Sequence, residues 1–457
     1  MKCLLSYPGK GQGSAVFHTT DDSPAADDAR PREGGAHADA GSADASERGG
    51  GRDAAGSANA GEGAGGRDAA ACADPGDRDA IAPLAGVRVI DFSQNLAGPF
   101  ATQILGDLGA DVVKVEPPGG DPARRWGPPF SGGESHLSQV ANRNKRSVVL
   151  DLKTDAGRAR ALKLAAGSDV VLQALRRGAA ERLGIGCEDV WAANPAVIYV
   201  SVTSHGTKGP LADDPGYDPL MQARSGLMSV TGDPGGNPAR AGTSVVDMGT
   251  GMWTAIAVLG ALMERESTGR GCHITTSLLD TALAWMSYHL TSYLATGVLP
   301  ERMGSTLAMI APYQAFACSD GSVMITAGTD DIFSRLCDAL ELDLASRPGY
   351  RSNASRVANR ELLEEILSER TRRFSTEALL RLLRRHRVPA APIHTVASAL
   401  ADPQTAATGM LRRCLHPTIA DYVDIPMPVR WDGQRAPLRR FPPRAGEHQG
   451  ELFPEGS

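Results

Sequence analysis

Asp247 stands in Thr243-Ser244-Val245-Val246-Asp247-Met248-Gly249-Thr250-Gly251, between a short apolar run and a helical pattern. Downstream, Met252, Ala255, Ile256, Leu259, Leu262 and Met263 recur at three- and four-residue spacing. That spacing predicts an amphipathic helix over residues 250–266, with Asp247 just outside its N-terminus. Such a carboxylate can cap the helix and complement the positive end of its dipole. If a ligand reaches it, it can instead act as a nucleophile. Gly249 and Gly251 lack a Cβ and would admit a ligand or a second backbone close to the carboxylate. The helix dipole would favour its ionised form.

A second group of residues is basic: Arg143, Lys145, Arg146, Lys153, Arg176, Arg177 and Arg182. On a neutral body these are either a solvated face or, at the carboxyl ends of parallel strands, a collector of an anionic ligand. Gly184-Ile185-Gly186 would allow close backbone approach there. Gly9-Lys10-Gly11-Gln12-Gly13 has no strand before it and no helix after it, which excludes a phosphate loop. His136 and His205 read as surface or structural histidines.

These groups need a scaffold, and the pattern supplies one. Residues 87–92 read as a strand, 99–108 as a helix with Pro in its first turn, and 111–116 as a second strand, together one βαβ unit. Strands at 146–150, 169–172 and 197–203 alternate with helical stretches, which predicts a mostly parallel α/β sheet. The first loop, Ser93-Gln94-Asn95-Leu96-Ala97-Gly98-Pro99, has one glycine where dinucleotide folds need G-x-G-x-x-G, so a nicotinamide cofactor is not expected. After Asp247 come a strand at 272–278, an apolar helix at 279–295, a hairpin and strand at 321–328, and helices at 330–342, 356–373 and 377–386. From Arg430 onward the chain is rich in Pro, Arg and Gly and reads as a surface tail.

The chain has 457 residues, 42% of them hydrophobic, enough for two or three cored domains. Its first eighty residues hold 14 acidic and 8 basic side chains and account for the whole net charge of −6. With Tyr7 and Phe17 as their only aromatics, they are expected to be a disordered low-complexity extension. No basic excess points to nucleic acid, and no targeting segment or apolar run of membrane-spanning length is evident. Seven scattered cysteines without metal-ligand spacing predict no disulfide framework, no metal site and a reducing, cytoplasmic setting.

Taken together, several motifs resemble the class III CoA-transferases, the family that includes formyl-CoA and carnitine CoA-transferases. They are Leu84-Ala85-Gly86-Val87-Arg88-Val89 with Ala97-Gly98-Pro99; Leu108-Gly109-Ala110-Asp111-Val112-Val113-Lys114-Val115-Glu116; Asn144-Lys145-Arg146-Ser147; Leu150-Asp151-Leu152-Lys153; and Gly216-Tyr217-Asp218 with Gln222. Thr268-Gly269-Arg270-Gly271, Ala311-Pro312-Tyr313 and Ala401-Asp402-Pro403-Gln404 agree, and the match runs through most of residues 83–432.

The resemblance implies an α/β fold: a Rossmann-like, mostly parallel CoA-binding domain (residues 81–295) joined by long helices to a smaller α/β domain (296–400). A return to the large domain (401–432) and a tail (433–457) would complete the chain, and two chains would interlock as a homodimer. It implies Asp247 as the nucleophile that carries CoA between a donor acyl-CoA and an acceptor carboxylic acid, through a mixed anhydride and an aspartyl-CoA thioester. CoA would be a substrate rather than a resident cofactor, held by Leu96, Ala97, Leu150, Lys153, Leu175, Arg176, Arg182 and Tyr217. Met248, Gly249, Ala327 and Gly328 are the oxyanion candidates. Two alternatives remain. One is an α-methylacyl-CoA racemase, although Tyr217 stands where racemases carry a histidine base. The other is a non-catalytic CoA-binding protein, suggested by Gln173-Ala174-Leu175-Arg176-Arg177-Gly178 in place of the family's Glu-Asn-Phe-Arg-Pro-Gly.

Overall fold

Runs such as Val170-Val171-Leu172 and Val89-Ile90 are apolar at successive positions, which suits strands covered on both faces. In the computed structural model, which describes residues 81–454, they form a six-stranded parallel sheet. The strands are β1 (Arg88–Asp91), β2 (Asp111–Glu116), β3 (Lys145–Val149), β4 (Val170–Gln173), β5 (Ile198–Thr203) and β6 (His273–Ser277). Their spatial order is β3-β2-β1-β4-β5-β6, every neighbouring pair parallel. This is the Rossmann order, with its switch point between β1 and β4, where ligands of such sheets bind beyond the strands' carboxyl ends. The expectation of disorder for residues 1–80, with Cys3 and Cys72, lies outside the described residues.

Helix α1 (Ala97–Asp107) links β1 to β2, and α2 (Asp155–Ala166) links β3 to β4. After the short α3 (Asp218–Arg224) comes α4 (Val245–Thr268), a helix of 24 residues. It begins five residues before the expected start at 250, because its first turn is capped from elsewhere in the chain, as described below. By length and composition α4 could cross a membrane, contrary to the sequence expectation. Here it lies against α1, with Val246, Thr250, Thr254, Ala255 and Val258 buried in the main core. The apolar helix expected over 279–295 is two helices, α5 (Leu278–Trp285) and α6 (Ser287–Thr296), meeting at Met286.

Further along, β7 (Tyr313–Ala317), β8 (Ser322–Thr326) and β9 (Ala390–Pro392) make an antiparallel sheet in the order β9-β8-β7. Helices α7 (Asp330–Leu340), α8 (Arg360–Thr371) and α9 (Thr376–Arg385) accompany it. Phe316, Val323, Phe333, Leu336, Leu363 and Leu379 pack there into a core distinct from that of the parallel sheet.

The C-terminal stretch is not the surface tail its composition suggested. Asn144, held at φ +61°, accepts the N–H groups of Arg439 and Arg440 on its side-chain oxygen at 2.7 and 3.0 Å. His448 N–H reaches Ser147 O at 2.9 Å, Arg146 pairs with Glu451 at 2.5 Å, and Leu438 is buried. The segment thereby runs along β3. Cys187, Cys272, Cys318 and Cys337 are free, and no metal-ligand cluster exists among the described residues.

Candidate active site

The first strand end is built on buried charge. Asp91, at the end of β1, is fully buried and accepts Ser93 N–H at 2.8 Å, Thr102 Oγ1 at 2.6 Å and Lys145 Nζ at 3.0 Å. Burial alone would raise its pKa, but Lys145 and Lys114 hold it down at about 2. Lys114, also buried, donates to Ser93 O at 2.8 Å and pairs with Asp121 at 2.9 Å. Asp121 in turn accepts the N–H of Asn95, whose φ is +67°. Breaking one partner of such a pair typically costs about 3–5 kcal/mol, so the loop that leads to Leu96 and Ala97 rests on a fixed floor. Both of those residues are buried at the start of α1.

The expected basic cluster therefore divides. Lys145 belongs to this floor, Arg143 pairs with Asp107 at 2.5 Å, and Arg146 pairs with Asp111 at 2.7 Å. These three are structural. Lys153, Arg176 and Arg182 are exposed, and Arg177 faces Asp213 at 3.5 Å.

The remaining candidates follow the carboxyl ends of neighbouring strands. Leu150 and Lys153 come after β3, Leu150 donating its N–H to Glu116 O at 2.9 Å. Leu175, Arg176 and Arg182 come after β4. There Gln173 turns inward, its side-chain oxygen accepting Leu175 N–H at 2.7 Å and its amide donating to Ser201 Oγ at 2.9 Å. Tyr217 follows β5 and is 53% exposed, its ring edge-on to Trp126 at 6.3 Å between centroids. Trp126, itself exposed, escaped the sequence reading; a lone Trp in a Pro/Gly-rich stretch offers no periodicity to place it. Lys153, Arg176, Arg182 and Tyr217 thus offer cationic and aromatic groups at the edge where the fold places ligands.

Asp247 is the third residue of α4, not a residue before it. The N-cap position, Ser244, makes no side-chain capping bond. Asp218 caps the helix instead: it is 1% exposed and accepts the N–H groups of Val246 at 2.8 Å and Asp247 at 3.1 Å on one oxygen. Its other oxygen accepts the Gln222 amide at 2.5 Å, and Gln222 accepts Ala241 N–H at 2.9 Å. Val245 N–H goes to Thr243 O and Met248 N–H to Ser244 O, so all four N–H groups of the first turn are engaged. Met248 is therefore not a free oxyanion donor, and Gly249 lies where the amide joins the helix's own ladder.

The ionisation expectation also changes. Asp218 already complements the positive helix end, and burial, with Asp218 nearby, raises Asp247 to about 7 rather than holding it low. The two glycines serve packing, not ligand approach. A Cβ on Gly249 would lie 2.7 Å from the Trp285 ring, and one on Gly251 would lie 2.8 Å from Ala97 O and 2.9 Å from Phe100. One helical turn beyond Asp247, Gly251 thus sets the first turns of α4 against the start of α1, where Leu96 and Ala97 stand.

Ala327 and Gly328 lie beyond β8. Ala327 N–H is bonded to Pro312 O at 3.0 Å, and a Cβ on Gly328 would lie 2.9 Å from Ile310. Among the described residues no hydrogen bond joins either to Asp247. The geometry thus gathers the coenzyme candidates at one sheet edge and Asp247 beside α1, and leaves the last two oxyanion candidates elsewhere in the chain.

A doubly wound sheet with cationic and aromatic groups at its carboxyl edge and a half-buried carboxylate near the start of α1 suits an enzyme that takes an anionic ligand there. The chain belongs to CoA-transferase family III, whose profile matches residues 84–449. It is 38% identical over 382 residues to the human succinyl-CoA:glutarate CoA-transferase, covering 83% of this chain and 87% of that one. To the succinate–glutarate CoA-transferase of Agrobacterium fabrum it is 39% identical over 386 residues, covering 82% and 95%. The crystal structure of a CAIB/BAIF family protein from Brucella suis superposes with a TM-score of 0.73 at 38% identity, covering 81% of this chain and all of that one.

Proposed function

We propose that the enzyme moves CoA from succinyl-CoA, or a similar dicarboxylic thioester, to a second dicarboxylic acid such as glutarate, with Asp247 as the covalent carrier. The relatives named above support the substrate class. The placement of the Asp247 carboxylate, half-buried at the start of α4 one turn from the contact with Ala97, supports the mechanistic reading.

In the first step an Asp247 oxygen attacks the thioester carbon and the C–S bond breaks, giving a mixed anhydride and CoA thiolate. The thiolate then attacks the Asp247 carbonyl carbon. The C–O bond of the anhydride breaks, leaving an aspartyl-CoA thioester and the donor acid as its carboxylate. The acceptor carboxylate reverses the sequence and leaves with CoA. A carboxylate suits this role because each intermediate keeps the activation of the thioester without another energy source. Gly328 is the oxyanion candidate whose N–H has no internal acceptor among the described residues. In this proposal a second copy of the chain, in a homodimer, brings it to Asp247.

The proton-exchange alternative needs a base facing a second acid–base group across the substrate. Among the described residues, the charged group that acts on Asp247 is Asp218, itself fully engaged, which favours transfer. Incubation with succinyl-CoA and hydroxylamine is expected to leave a hydroxamate on Asp247, detected by peptide mass spectrometry. Asp247→Ala is expected to abolish turnover with succinyl-CoA and glutarate. Full activity in that variant would rule the mechanism out.

A further inference from the structure

We propose that Asp218 is a positioning residue that also acts electrostatically. It fixes the Asp247 backbone and, by remaining charged beside it, drives the Asp247 carboxylate toward its neutral, CoA-bearing form. This rests on the covalent role of Asp247 given above.

Two observations carry it. The first is geometric. Asp218 arrives from α3, 29 residues before Asp247, and takes two of the first-turn N–H groups of α4, one of them that of Asp247 itself. Gln222, fully buried, fixes its other oxygen and is itself held by Ala241 N–H. With three N–H donors on it and almost no solvent, Asp218 has a defined position. The second is electrostatic. No cation is paired with either carboxylate among the described residues, so an ionised Asp247, itself half-buried, faces a like charge on the buried Asp218. Neutral helix caps such as Ser or Asn would satisfy the same N–H groups without that repulsion.

The consequence follows from the charge balance of half-transfer. Ionised Asp247 plus acyl-CoA becomes neutral aspartyl-CoA plus a free carboxylate. The bond to CoA moves from donor to enzyme, and the negative charge leaves the half-buried site on the departing acid. Repulsion between Asp218 and Asp247 is present before this step and absent after it. Asp218 therefore favours the loaded enzyme, whereas the donor and acceptor acids in solution are unaffected.

The test uses the full chain equilibrated above about pH 8, where free Asp247 is ionised, with succinyl-CoA and succinate at fixed ratios, quenched, with the CoA adduct on Asp247 quantified by intact-protein mass spectrometry. Asp218→Asn keeps an acceptor for the helix N–H groups and removes the charge. The loaded-to-free ratio is expected to fall about tenfold, the equivalent of one pKa unit, and the melting temperature to fall as well, because the Asn amide would meet the Gln222 amide donor to donor. Asp218→Ser is the second neutral variant should the Asn form not fold. An unchanged ratio in a folded neutral variant would reduce Asp218 to an ordinary cap and overturn this inference alone. Absence of adduct in the parent enzyme would overturn the covalent reading, and this inference with it.

Discussion

At the scale of the residue, the placement of Asp247 close to a helix start was legible in sequence, but its ionisation was not. A carboxylate at a helix start reads as stabilised by the dipole; that reading holds only where no other anion occupies the helix end. Asp218 occupies it, and a cap supplied from 29 residues away leaves no local signature. The outcome can be read against pH. Because Asp247 is raised to about 7, folding favours its protonated form: its contribution to stability is full below the ordinary carboxylate pKa and is lost as pH rises through about 7. Asp247→Asn removes that loss. The Asn variant is expected to melt at least about 2 °C above the parent at pH 8, with the gap closing toward pH 5. Equal gaps at both pH values in calorimetry would contradict the raised pKa. In the proposed mechanism Asp247 attacks in its ionised form, so single-turnover loading is expected to plateau above about pH 7 and to fall about tenfold per pH unit below it.

At the scale of the element, strands and helices of the parallel sheet were legible because Val-rich runs and periodic Leu, Ala and Ile encode them locally. What the pattern left unspecified was the partnership between elements. Arg143, Lys145 and Arg146 are adjacent in sequence and look like one basic patch, yet each closes on a different carboxylate: Asp107, Asp91 and Asp111. Gly251 looks like room for a ligand and is instead the point where α4 meets α1. Gly251→Ala would place its methyl 2.8 Å from Ala97 O and 3.1 Å from Ala101 N, backbone atoms that cannot turn aside. The variant is expected to lose about 1–3 kcal/mol of stability, as overpacked cores do. It is also expected to raise KM for succinyl-CoA, since Leu96 and Ala97 would shift with α1. A parent-like melting curve and KM together would show that the helices do not touch there.

At the scale of the whole molecule, the surface leaves apolar side chains that a single chain does not cover. On α4, Met252, Trp253, Ile256 and Met263 are exposed; beyond it, Tyr288, Tyr293 and Leu294 on α6 and then Val298 and Leu299 are exposed as well. Large exposed apolar groups in such numbers mark interaction surfaces rather than ordinary solvent faces. The periodicity of α4 could not reveal this, because the same i, i+3, i+4 spacing serves a core and an interface alike. The site gives an independent reason for a partner. The first turn of α4 has no N–H left for an oxyanion, and Gly328 lies in the region of the antiparallel sheet without a hydrogen bond to Asp247. A homodimer in which these helices meet would cover the apolar groups and bring a second chain's Gly328 to Asp247, as the proposed mechanism requires. Light scattering on the eluting protein is expected to give twice the chain mass of 47.8 kDa. Replacing Leu294 and Leu299 by Glu is expected to shift that mass toward one chain and to lower turnover together with it. A fully active monomer would show that one chain carries the whole site and would return the oxyanion role to a donor within it.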